Sequence, residues 1–294
     1  MDLRAIIMGL VFALMWSSAF TSARIIVADA PPMLTLALRF FISGGLAVLI
    51  AALMGQSFRL TRAQWRNTFV FGLCQNALYL GLFFIAMRTI EASLAAIIAS
   101  TMPLLVAFAS WVFLKERLPW LAIAGLVAGF AGAALIMGTR LNAGVDLFGV
   151  MICIVGVVAL TVATLSVRGA SSGGNLLMVV GYQMWVGGAA LLLVGLISET
   201  WEVRYSGTLL LAFVYTTLVP GLAATWIWFA LVERIGATRA ATFHFLNPFF
   251  GVAIAAVLLG EAMGTLDVFG VAIITFGILA VQLSRARRSA VTTD

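Results

Sequence analysis

The chain has 294 residues, 63% of them hydrophobic and 10% charged, and a charged fraction so far below the soluble average of about 25% excludes a water-soluble globular domain. A net charge of +6 would suit a nucleic-acid partner, but the basic residues stand singly between apolar runs and gather mainly around 59–66 and 285–288, so they report membrane orientation instead. Cys74 and Cys153 lie alone in apolar runs with no CxxC or histidine partner, which excludes a disulfide framework and a zinc site.

Bilayer thickness demands about 20 apolar residues per helical span. Ten such segments follow one another at 4–26, 33–54, 66–88, 92–114, 119–138, 146–167, 174–197, 207–231, 237–259 and 264–284. The first begins after Arg4 and ends in the small residues Ser18 to Ala23, a signal-like pattern, but nine further spans follow without a soluble domain to export, so it reads as an uncleaved helix.

Polar side chains are costly in a span and face the bundle interior or a water-filled cavity. In chain order they are Trp16, Ser17 and Thr21 in the first span, Gln75, Asn76 and Tyr79 in the third, and Ser100 and Thr101 in the fourth. Thr161 and Thr164 follow in the sixth, Gln183 in the seventh, Thr225 and Trp226 in the eighth, and His244 and Asn247 in the ninth. Each has a plain alternative: hydroxyls bond a carbonyl one turn back or join helices, and the tryptophans pack. The amides of Gln75, Asn76 and Asn247 are stronger cavity candidates, because an amide in hydrocarbon must find partners. His244 is the only histidine. It is either a neutral imidazole bonded to a neighbouring helix, or a substrate contact or a titrating gate, since imidazole changes charge near neutral pH.

Pro103 and Pro248 each remove a helical hydrogen bond and push the preceding residue from helical geometry, so each marks a kink or a hinge. Glu116 and Glu261 fall just before the next helix, where a carboxylate complements the positive helix end. Arg39 lies a turn or two inside the second span with no carboxylate in the same run. It either snorkels outward or offers a guanidinium to a substrate carboxylate.

The second half repeats the first at an offset of 145: Pro103 falls on Pro248, Glu116 on Glu261, Gly125 on Gly270 and Gly132 on Gly277, with Ile90/Ile235, Ala92/Ala237, Ala96/Ala241 and Leu121/Leu266 in register. This divides the chain into repeats 1–144 and 145–294. Duplication in a polytopic membrane protein is a transporter signature. Five spans separate equivalent residues, an odd number, so the repeat is expected to be inverted, with the third, fourth, eighth and ninth spans building two halves of one central site. Position 99, the mate of His244, is alanine, an asymmetry that suits binding better than scaffolding. With the N-terminus inside, twelve basic residues, Arg168 among them, fall on the cytoplasmic side against Arg24, Arg88, Arg140 and Arg204 outside, placing both termini in the cytoplasm.

Trp16-Ser17-Ser18-Ala19-Phe20, the stretch from Ala92 to Pro103, and Leu114-Lys115-Glu116-Arg117-Leu118 with Gly125 and Gly132, followed by the second copy through Ala237 to Pro248, Gly260-Glu261, Gly270 and Gly277, resemble the ten-helix drug/metabolite transporters built from two EamA-type repeats. The resemblance covers essentially the whole chain and is nearest to the bacterial exporters of aromatic and other neutral amino acids. It implies an inner-membrane exporter working by alternating access around a central cavity, with no cofactor. The expected partners are a small-molecule substrate and the lipid bilayer, with the chain acting as a monomer.

No Asp or Glu falls in the middle of a span, which argues against a carboxylate proton relay, and no P-loop is present to couple ATP. Facilitated flux, or weak proton coupling through His244, remains. A single histidine without buried acids argues against an intramembrane enzyme. A channel or sensor is the other alternative.

Overall fold

A computed structural model describes residues 3–166 and 173–291; Arg168, counted above among the cytoplasmic basic residues, lies outside them. Among the described residues there is no strand, and ten helices are long and apolar enough to cross a membrane. They are α1 (Leu3–Asp29), α2 (Pro32–Leu53), α3 (Arg62–Ala86), α4 (Ala92–Leu114), α5 (Trp120–Asn142), α6 (Leu147–Ser166), α7 (Leu176–Ser198), α8 (Gly207–Ile235), α9 (Arg239–Leu259) and α10 (Thr265–Ser284). Helix is the only open-ended element that satisfies its own backbone in hydrocarbon.

The helices sort into two compact units that interleave in sequence. One contains Met1–Thr21, Ile90–Val150 and Ala223–Asp294; the other contains Ser22–Thr89 and Met151–Leu222. The divisions therefore fall inside α1, α6 and α8.

In the first unit, α5 and α10 run antiparallel along a glycine seam. A Cβ on Gly125 would lie 2.6 Å from the carbonyl of Gly277, and one on Gly132 would lie 2.9 Å from that of Gly270. Gly270 is the repeat mate of Gly125 and Gly277 that of Gly132, so each contact is the other's image at the 145-residue offset. Small residues bring backbones together where no hydrophobic drive separates helix from lipid. Beside the seam, Leu104, Leu126, Ile136, Val252, Ile274 and Ile278 form a buried apolar cluster. The helix ends are pinned by charge. Arg140 pairs with Glu91 at 2.5 Å and with Asp267 at 3.0 Å, and Glu261 accepts hydrogen bonds from the amides of Ala92 and Ser93 at 2.7 and 2.9 Å. Glu261 thus caps α4 rather than α10, the helix that follows it in sequence. The preceding residues, Lys115 and Gly260, are repeat mates, and both close their helices in the left-handed conformation at φ 54° and 68°.

In the second unit, α2 and α7 are likewise antiparallel: a Cβ on Gly181 would meet the carbonyl of Gly44 at 2.9 Å, and Gly188 faces Phe40. The carboxylate of Glu199 accepts from the amides of Met33 and Leu34 at 3.0–3.1 Å, and the side chain of Gln56 accepts from the amide of Met178 at 3.0 Å. Met33 and Met178 are repeat mates, so the two helix starts are capped reciprocally, once by a carboxylate and once by an amide.

Candidate functional site

Helix α1 turns Phe12 and Trp16, one turn apart, to one side in the first unit. Helix α8 contributes Trp228, and α9 contributes His244 from a tight 3-10 segment, Thr242–Leu246, just before its proline. The rings converge. Phe12 lies 5.7 Å from Trp16 and 4.9 Å from Trp228. The imidazole stands edge-on to Phe12 at 5.3 Å and to Trp16 at 6.4 Å, and is tilted on Trp228 at 5.1 Å. Phe12 is fully buried, while Trp16, Trp228 and His244 are half-buried. Edge-to-face geometry of this kind exploits the ring quadrupole.

Two polar partners fix the floor of the cluster. Asn247 Nδ2 lies 3.0 Å from His244 Nδ1, and with the amide in that orientation Nδ1 accepts and the ring proton sits on Nε2. Ser17, buried one residue beyond Trp16, donates to the carbonyl of Asn247 at 3.3 Å, with Asn247 Oδ1 at 3.5 Å. Aromatic walls, an imidazole and an amide can take up an apolar ring or a cationic group on one side and a hydrogen-bonding group on the other.

Trp16, Ser17, His244 and Asn247 therefore come together as one cluster. Trp226 is 66% exposed and stands apart from it; Trp228, two residues on, takes that place. Ser100 donates to the carbonyl of Ala96 at 2.6 Å and Thr101 to that of Ile98 at 2.7 Å, so both hydroxyls are used within their own helix. Gln75, Asn76 and Tyr79 belong to the second unit. There Asn76 and Tyr79 are buried and Tyr79 packs on Phe83 at 4.7 Å. All three lie in a π-helical stretch, Gly72–Tyr79, where the wider turn re-aims side chains. A second π-helical stretch, Val219–Ala223, contains Pro220 in α8. Shifted by 145, the first stretch falls on 217–224, so the two are repeat mates.

Pro103 and Pro248 each sit in the first turn of a fresh α-helical segment, Met102–Leu114 and Asn247–Leu259. In α4 the break leaves the carbonyl of Thr101 to accept from Leu104 and Leu105 at 2.9 and 3.0 Å. Arg39 does not snorkel: it is 7% exposed, with its guanidinium inside the second unit. No group of three or more His, Cys, Asp or Glu suited to a metal occurs among the described residues.

Sequence reasoning missed Phe12 and Trp228. Both carried a signal. Phe12 is one helical turn before Trp16, and the repeat mate of Trp228 is Phe83, a fully buried aromatic, whereas the mate of Trp226 is Gly81.

The family profile of the EamA-like transporters matches the chain twice, over residues 3–138 and 147–283. The chain is similar to the uncharacterized transporter YvbV of Bacillus subtilis (strain 168), at 25% identity over 94% of this chain and 91% of that protein. It is also similar to the uncharacterized inner membrane transporter YedA of Escherichia coli (strain K12), at 26% identity over 94% and 90%. A crystal structure of a protein aligns with a TM-score of 0.69 at 23% identity, covering 97% of this chain and 99% of the other, a likeness of fold.

Proposed function

Because the chain belongs to the EamA-like transporter family, we propose that this membrane transporter exports small metabolites, above all aromatic and other neutral amino acids, across a bacterial inner membrane by alternating access. The observation that carries the reading is the cluster of Phe12, Trp16, Trp228, His244 and Asn247: π surface beside hydrogen-bonding groups, within membrane-spanning helices, fits a solute with an apolar side chain and a polar end. The relatives are transporters, which favours carriage over catalysis.

Alternating access rests on two inverted repeats, 1–144 and 145–294. The antiparallel course of the equivalent helices α5 and α10, and the reciprocal contacts Gly125–Gly277 and Gly132–Gly270, support that symmetry. Facilitated flux is favoured over proton coupling, since acidic side chains such as Glu91, Asp146, Glu199, Glu261 and Asp267 serve helix ends. One observation favours a second reading. Protonation of His244 would turn Nδ1 from acceptor to donor and break its bond to Asn247, which would couple solute occupancy to a proton.

Liposomes containing only this protein separate these readings. Efflux of labelled phenylalanine, threonine and alanine should be saturable, need no ATP and run to equilibrium. An imposed pH gradient should change the plateau little. Strong uphill accumulation driven by the gradient would replace the facilitated reading with His244 coupling, and absence of saturable flux for any solute would overturn carriage of amino acids.

A further inference from the structure

Arg39 is a cation at membrane depth without a countercharge. It is the eighth residue of α2, about 10 Å along the helix from its start, and 7% exposed. The ion pairs of Arg140 with Glu91 and Asp267 and of Arg204 with Asp29 do not involve Arg39, and its buried Nε has no hydrogen-bond partner. Its Nη2 faces the π turn of α8, where a Cβ on Gly221 would lie 3.4 Å from Nη2 and 3.5 Å from Ser43 Oγ. Glycine leaves bare backbone at that point, and Ser43, one turn beyond Arg39 on the same face of α2, donates to the carbonyl of Thr217 at 3.4 Å.

A scaffold role explains part of this. Pro220 supplies no N–H, so the helical ladder loses one donor there and a guanidinium could brace the turn. Carbonyls do not neutralise a charge, however, and an uncompensated ion in a low-dielectric interior costs several kcal/mol. The repeat shows that the fold does not require the cation. The mate of Arg39 is Met184 and the mate of Gly221 is Asn76; in that half the π turn packs through Asn76 and the carbonyl of Gly72 onto Gly187. At the Arg39 position, only one half carries a charge.

We propose that Arg39, beside the turn at Gly221 where no side chain intrudes, forms a binding site for a small anion, either the carboxylate of the transported solute or a free inorganic anion. A guanidinium binds a carboxylate through two parallel hydrogen bonds and keeps a donor for the backbone. The proposal rests on the transporter reading and narrows its substrates to solutes carrying, or travelling with, an anionic group.

The test compares phenylalanine with phenylalanine amide in proteoliposomes, for wild type, Arg39→Met and Arg39→Lys, in chloride and in a bulky sulfonate buffer. If the solute supplies the anion, Arg39→Met should slow phenylalanine about tenfold or more and leave the amide within about twofold of wild type, while Arg39→Lys falls between because a point charge cannot make the bidentate pair. If a free anion fills the site, wild type should carry both solutes alike, and both fluxes should drop when chloride is replaced. Acetate or chloride should also raise the melting temperature of wild type and not of Arg39→Lys, a readout independent of transport and of the methionine variant's folding. Equal loss of both solutes in Arg39→Met, with no anion dependence of flux or melting, would reduce Arg39 to a brace for the π turn. Anion-dependent melting without flux of any solute would keep the site and sink the transporter reading.

Discussion

Trp226 and Trp228 are two residues apart on α8, which places their side chains about 200° apart around the helix, so a face that buries one exposes the other. The structure puts Trp228 against Phe12 and His244 and leaves Trp226 66% exposed. In the liposome assay, Trp228→Ala should therefore slow phenylalanine about tenfold and alanine little, roughly the energy of lost aromatic packing on a ring-bearing solute, while Trp226→Ala should transport both like wild type. The reverse pattern, measured per folded protein, would move the solute to the other face of α8. Ser17, His244 and Asn247 were legible in the sequence because polar groups stand out in hydrocarbon, and with Trp16 they do cluster. Tryptophan gives no such contrast, being equally at home against lipid and in a core. Ser100 and Thr101 were ambiguous for another reason: a hydroxyl has the option of bonding its own helix, and both take it.

Glu91, Glu199 and Glu261 act between helices rather than along them. Glu261 reads from the sequence as a complement to the helix that follows it, yet it accepts from the first amides of α4. A loop carboxylate reaches whichever helix start shares its membrane face, and neighbours in sequence need not be nearest in space. Removing it leaves two amides unpaired at the start of a span, so Glu261→Ala should lower unfolding free energy by about 1–2 kcal/mol, the cost of a lost cap. Glu261→Gln, which keeps an acceptor and loses the charge, should lose less. Denaturant unfolding in detergent measures both, and an Ala variant as stable as wild type would show that water satisfies these amides equally well. The π-helical stretches in α3 and α8 were hidden in the sequence for a related reason. Pro220 marks a broken ladder in α8, but Gly72–Tyr79 contains no proline, and the insertion of one residue per turn leaves no trace in hydrophobicity.

Ten alternating spans place helix starts and ends on fixed faces, and the pinned ends agree with that alternation within each unit. In the first, Arg140 at the end of α5 meets Glu91 and Asp267 at the starts of α4 and α10, and Glu261 after α9 meets the start of α4. In the second, Glu199 after α7 meets the start of α2, and Arg204 lies near Asp29 at the end of α1. Each of these contacts joins ends that a strict up-and-down course would bring to one face. The span count and the alternation were thus legible from length and hydropathy, whereas the interleaving of the two units was not, because equivalent helices exchange partners across the repeats. The charge asymmetry, twelve basic residues against four, is what argues for the cytoplasmic face. Tyr205, 82% exposed between α7 and α8, and Phe58, 58% exposed between α2 and α3, lie on opposite faces of such a course. In a background with Cys74 and Cys153 replaced, Tyr205→Cys should react with a membrane-impermeant maleimide in intact cells, and Phe58→Cys only after permeabilisation. Inward orientation of both termini follows from that pattern. Labelling of Phe58→Cys alone from outside would invert the topology and overturn the orientation drawn from charge.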